Sequence, residues 1–174
     1  MGNLIRTSLA AVFILAASAA MAQPAPRAEI RRNAQEQIPD GLIGAWKLDL
    51  VASKYEATAP KMQYRIFDYT HDGKLLVDYI TLSANGAQAA GNWAVSLDGS
   101  EGLEYTRAYG STPFAVVTLK KTDEATFNLT AARFGKVFET GTFTLSLDGN
   151  MLTFSFDADG KHNVAVYRRW NLLN

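Results

Sequence analysis

The chain has 174 residues, 17 basic and 17 acidic side chains, and no Cys. Its length suits one domain with a sizeable core. The even charge balance gives no reason to expect nucleic acid or an anionic membrane as partner, and the lack of Cys excludes a disulfide framework and a lipid anchor on Cys.

Residues 1–22 carry the three parts of a Sec-type signal peptide: a short basic region at Arg6, an apolar Ala-rich run from Leu9 to Ala20, and a small-x-small cleavage site at Ala20-Met21-Ala22. The run is too short and too Ala-rich for a stable membrane anchor, and no later stretch is long and apolar enough for one. Cleavage after Ala22 would deliver a periplasmic or secreted bacterial protein. Residues 23–40 hold three of the five prolines and are mostly polar. They read as a flexible leader with a short helix over Ala28 to Gln37, and Arg31 and Arg32 as solvated charges.

From Gly41 to the end at residue 174 the apolar period is close to two, with many β-branched and aromatic residues. Strands are expected at Leu42–Leu50, Met62–His71, Lys74–Ser83, Gln88–Leu97, Leu103–Tyr109, Phe114–Lys121, Thr126–Arg133, Val137–Leu147, Met151–Ala158 and His162–Trp170. Asp72-Gly73, Asn85-Gly86, Asp148-Gly149 and Asp159-Gly160 separate neighbouring runs and suit two-residue hairpins with positive φ. Asp98-Gly99 is expected to open a longer loop. The fold class that follows is all-β: an up-and-down antiparallel β-barrel of about eight to ten strands, which removes its edges by closing.

With an even strand count, the first half of the first strand and the end of the last fall at one end of the barrel and become neighbours. Gly44 and Trp46 would then meet Arg168, which shares a face with Val164 and Val166 and can lie across the indole. Gly44-x-Trp46 and Arg168, and more closely GAWKLDLVASKY at 44–55 and NVAVYRRW at 163–170, resemble small secreted bacterial lipocalin-like (calycin) proteins of unassigned function. The middle Thr-Asp-Tyr-type motif, the cysteines and the strong C-terminal helix of the animal lipocalins are missing. The resemblance implies a lipocalin-like barrel and, with it, binding of a small apolar molecule.

Catalytic chemistry has little to stand on, and no metal or cofactor is indicated. His71 and His162 fall in turns at opposite ends of the barrel, which disfavours a shared metal site. No Gly-x-Ser-x-Gly, His-Glu-x-x-His or phosphate-binding Gly loop occurs. Asp68 and Asp78 lie on neighbouring strands but read as solvent-facing acids rather than a catalytic pair. Asn128-Leu129-Thr130 fits a glycosylation pattern but lies within a strand.

Binding has more. The long connections, Val51–Lys61 and those around Asn85, Gly110–Pro113 and Phe134-Gly135, gather at the end opposite Trp46, where small barrels admit ligands. Tyr64, Tyr109, Phe114 and Arg133 are expected near that mouth, with Trp93, Tyr105 and Arg107 deeper. Arg107 would need a partner inside, either a ligand carboxylate or an internal acid such as Asp78. The expected partner is thus a small apolar or amphipathic molecule. A ligand-free envelope interaction or stress-response module is the alternative, and a small enzyme with its site in the mouth the third. The oligomeric state is open.

Overall fold

The computed structural model describes residues 37–171. The expected signal peptide and most of the leader, including its helix up to residue 36, lie outside the described residues. Eleven strands follow: β1 Gly44–Leu48, β2 Lys54–Tyr55, β3 Met62–Tyr69, β4 Leu75–Leu82, β5 Gln88–Val95, β6 Asp98–Thr106, β7 Ala115–Lys121, β8 Thr126–Arg133, β9 Lys136–Leu145, β10 Met151–Ala158 and β11 Lys161–Arg169. Ten of them form a closed antiparallel barrel: β1 pairs with β3, each strand from β3 onward pairs with the next, and β11 pairs back onto β1.

β2 is the exception. It pairs only with β11, through Asn163 and Val164, on the edge that β1 uses at Tyr167 to Arg169. The chain therefore leaves the wall after β1, loops out over residues 49–53, and rejoins β11 nearer the mouth. No strand pairing joins β2 to β3, so the wall is parted there. The long Val51–Lys61 connection expected from the sequence thus contains a short piece of wall.

Two expectations about turns need correction. The connection after β5 is a tight turn at Ser96-Leu97 rather than a long loop, because β6 already begins at Asp98. The positive φ of Gly99 and an irregularity against β7 between Asp98 and Glu101 absorb the change of direction. Positive φ at two successive turn residues occurs at Asp159-Gly160, as expected, and also at Phe134-Gly135, where the sequence carries no Asn or Asp. Gly73, Gly86 and Gly149 have positive φ alone.

One end of the barrel is solid. Trp46, Phe67, Leu75, Val95, Phe127 and Leu152 pack with Ile38 and Leu42 in a single apolar cluster, and burying each such side chain stabilises by roughly 1.5–3 kcal/mol. The Trp46 indole Nε1 donates to the Leu42 carbonyl at 2.9 Å. Ile38 belongs to this plug, so the packed domain starts ahead of Gly41.

Closure between the first and last strands is as expected, but Arg169, not Arg168, makes it. The Arg169 guanidinium lies 4.6 Å from the Trp46 ring. It donates from Nε to the Gly149 carbonyl at 3.0 Å, from Nη1 to that of Ile43 at 2.8 Å, and from Nη2 to that of Gly41. Arg168 faces outward and meets Asp49 at 3.2 Å with 56% of its side chain exposed. The inward face of β11 is Asn163, Ala165, Tyr167 and Arg169, one residue out of phase with the expectation. The 49–53 loop covers the outer face: the Asp49 amide donates to the Val166 carbonyl, and the Val166 amide to Ser53 Oγ. Val166 on the outer face is therefore buried as well, and hydropathy does not reveal the phase.

Candidate functional site: the barrel cavity

Above the plug the barrel is hollow. A cavity of about 530 Å³ is bounded by Gln63 and Arg65 of β3, Phe154 and Phe156 of β10, Tyr167 of β11 and Glu139 of β9, with Tyr55 and Pro60 at the parted wall. A deeper chamber of about 240 Å³ shares Gln63, Arg65 and Glu139 with it and adds Tyr79, Trp93 and Glu104. Its position follows from register. Trp46 opposite Arg65 turns the odd residues of β3 inward, and Trp93 opposite Glu104 does the same for the even residues of β6.

The interior is polar at its centre and aromatic along one side. Arg65 Nε donates to the Tyr167 hydroxyl at 3.2 Å, Tyr167 donates to Gln63 Oε1, and Gln63 Nε2 donates to Thr81 Oγ1 at 2.8 Å. The Tyr79 hydroxyl donates to Glu104 Oε1. The guanidinium of Arg65 lies 5.5 Å from the rings of Phe143 and Phe154 and 5.7 Å from Tyr167. Phe143 stacks on Phe154 at 4.0 Å, and Phe154 on Phe156 at 4.7 Å. Gly141 makes room for this stack: a Cβ there would stand 2.6 Å from Phe154 Cε2 and from Phe156 Cβ.

Burial raises the carboxyls of Glu104 and Glu139 above the usual range. The Tyr79 hydrogen bond and the Arg65 charge pull Glu104 back, while for Glu139 Arg65 lowers and Glu104 raises. Burial raises the hydroxyls of Tyr55 and Tyr79 as well, so both stay protonated donors. For Arg65 burial works against the charge, but Tyr167, Glu139 and Tyr79 outweigh it and the guanidinium is held charged. No hydrogen bond or ion pair joins either Nη of Arg65, or the carboxylate of Glu139, to another described residue.

Of the residues expected to line a site, Trp93 lies in the deeper chamber and Phe114 at its rim. Tyr109, Phe114 and Arg133 come together at the mouth. The Arg133 guanidinium lies 4.7 Å from Tyr109, 4.4 Å from Phe114 and 5.0 Å from Phe134, and its buried Nε has no hydrogen-bond partner among the described residues. Tyr109 is 44% exposed on the outer side of this group.

Three others face outward. Tyr64 packs on Trp170 at 4.5 Å, with Lys47 beside it. Tyr105 and Arg107 line a groove on the outer wall with Asp78 and Ile80, and Arg107 is exposed. The reason is again phase: Glu104 and Thr106, not Tyr105 and Arg107, occupy the inward positions of β6. Arg107 therefore has no need of an interior partner. Asp68 and Asp78 also lie outside, with the Asp78 carboxyl raised by burial and by Asp68.

The sequence reading missed Arg65, Glu104, Glu139, Gln63, Tyr79 and Tyr167. Cross-strand pairing from Trp46 would have found Arg65. Glu139 could have been found by counting back from Phe143, since both belong to the inward set of β9.

No protein-family model and no curated protein sequence matches the chain. Solved structures do. As-p18, an extracellular fatty acid binding protein, is 16% identical with a TM-score of 0.53, and the match covers 77% of this chain and 99% of As-p18. The fluorescent protein UnaG is 14% identical with a TM-score of 0.51, over 74% of this chain and 96% of UnaG. These likenesses show the fold alone: an all-β, closed ten-strand antiparallel barrel like those of As-p18 and UnaG.

Proposed function

We propose that this is an exported barrel that binds a small, largely apolar molecule in its cavity, with the molecule's polar end at Arg65. The observation that carries the reading is a cavity of about 530 Å³ around a guanidinium whose Nη groups find no partner among the described residues. Once a bound molecule displaces water from the cavity, a guanidinium left without an acceptor is costly. The stacked rings of Phe154 and Phe156 beside it offer an apolar wall for the rest of the molecule. The printed description of As-p18 as an extracellular fatty acid binding protein supports the same class of cargo. The signal-peptide pattern of residues 1–22 supports delivery to the periplasm or the medium, with the mature chain starting at Gln23.

Native mass spectrometry of the protein purified from its own envelope tests both parts. A mature mass beginning at Gln23 supports export. A retained small molecule that is lost from the R65M variant supports the site. A bare protein that also fails to bind N-phenyl-1-naphthylamine, a neutral fluorescent apolar probe, would leave the ligand-free interaction module as the better reading.

A further inference from the structure

We infer that the cavity selects a neutral amide-type head group, held between Arg65 as donor and Glu139 as acceptor, over a free carboxylate. This rests on the cavity reading above and narrows it. Both chambers of the cavity are bounded by Arg65 and Glu139. The two side chains attract each other across the space but make no ion pair, and among the described residues Arg65 hydrogen-bonds a side chain only through Nε, to Tyr167, and the Glu139 carboxylate none. Facing guanidinium and carboxylate groups left apart within one cavity form a gap with donors on one side and acceptors on the other.

The chemistry that fills such a gap is a group with an acceptor and a donor side by side. A primary or secondary amide fits: its carbonyl oxygen accepts from an Arg65 Nη, and its N–H donates to a Glu139 oxygen. A carboxylate fits only the Arg65 side, because it has no proton to give Glu139. It also brings a third acid to a single cation. Glu104 and Glu139 already surround Arg65, and Glu104 is engaged by Tyr79. A further anion would have to take up a proton, or force one onto a glutamate, before it could settle. Leaving Glu139 opposite an acceptor-only head is the kind of mismatch by which buried polar groups discriminate strongly.

Displacement of N-phenyl-1-naphthylamine from the full mature chain at pH 7.5 tests this with two competitors of equal chain length, dodecanamide and dodecanoic acid. Dodecanamide is expected to compete at least tenfold better. In E139Q, whose side chain is neutral, dodecanoic acid should gain most of that factor while dodecanamide changes much less. Probe binding by E139Q confirms that the variant is folded. Equal or better competition by dodecanoic acid in the unmodified protein would overturn the inference and leave the cavity reading standing. Failure of the probe and of both competitors to bind would overturn the cavity reading itself.

Discussion

Two adjacent arginines at the end of β11 give the sharpest quantitative contrast in the molecule. Arg169 donates three hydrogen bonds to the carbonyls of Gly41, Ile43 and Gly149 and covers the Trp46 ring at 4.6 Å. A hydrogen bond from a charged group contributes about 1.5–3 kcal/mol, and a guanidinium over an aromatic ring about 0.5–2 kcal/mol. These terms do not add fully, since water reaches some of the released carbonyls. Truncation as R169A should therefore cost about 3–5 kcal/mol, comparable to removing one member of a buried charged network. Against the roughly 5–15 kcal/mol that holds a domain folded, that is a large fraction. Arg168 makes one contact, to Asp49 at 3.2 Å, with a side chain 56% exposed, so R168A should cost at most about 1 kcal/mol. Urea unfolding followed by tryptophan fluorescence measures both. R169K separates charge from geometry, because a single ammonium cannot reach three carbonyls at once; it should fall between R169A and the parent. If R168A cost as much as R169A, the closure described here would be wrong.

Other outcomes follow from the cavity. Because burial raises the Glu104 and Glu139 carboxyls, just above the unfolded carboxyl range the folded chain still holds protons there that the unfolded chain has released. Their burden on stability is absent below about pH 4, the unfolded carboxyl value, and grows as pH rises above it. E139Q should accordingly gain stability over the parent between pH 4.5 and pH 7.5 in thermal scans, and a constant difference across that range would contradict the assignment. G141A forces a Cβ to within 2.6 Å of Phe154 and Phe156 and should cost about 1–3 kcal/mol by overpacking; an unchanged urea midpoint would count against the stacked arrangement. Y105A and R107A change only the outer groove, so N-phenyl-1-naphthylamine should bind them within twofold of the parent, whereas a tenfold loss would return those residues to the interior.

Strands and turns were legible in the sequence because the period of two and the Asp-Gly and Asn-Gly pairs are local signals. The β8 and β10 boundaries agree to the residue. Phase was harder, and for a physical reason. Assigning faces by hydropathy assumes that the inside is apolar, which holds around Trp46 and Phe67 but fails where the inside is a polar cavity. On β3 the cavity-facing residues are Gln63 and Arg65, while the outward face carries Tyr64 and Ile66; on β6 Glu104 is inside and Tyr105 outside. The rule inverts at the site itself. The mouth group of Tyr109, Phe114 and Arg133 escaped this problem because loop position, rather than strand phase, brought those residues together.

The meeting of β1 with β11 also sets a timetable. Trp46 emerges before its cover, Arg169, and the last seam of the wall arrives only after every other strand of the barrel is made. Pairings so distant in sequence form slowly, because the loop between them must be ordered before they contribute. Until then the apolar plug around Ile38 and Leu42 has no lid, and the nascent barrel is an open sheet with two free edges. A late-closing chain of this kind leaves its plug and both sheet edges open to other chains until the seam forms, so its hazard is aggregation before closure rather than loss of the closed barrel.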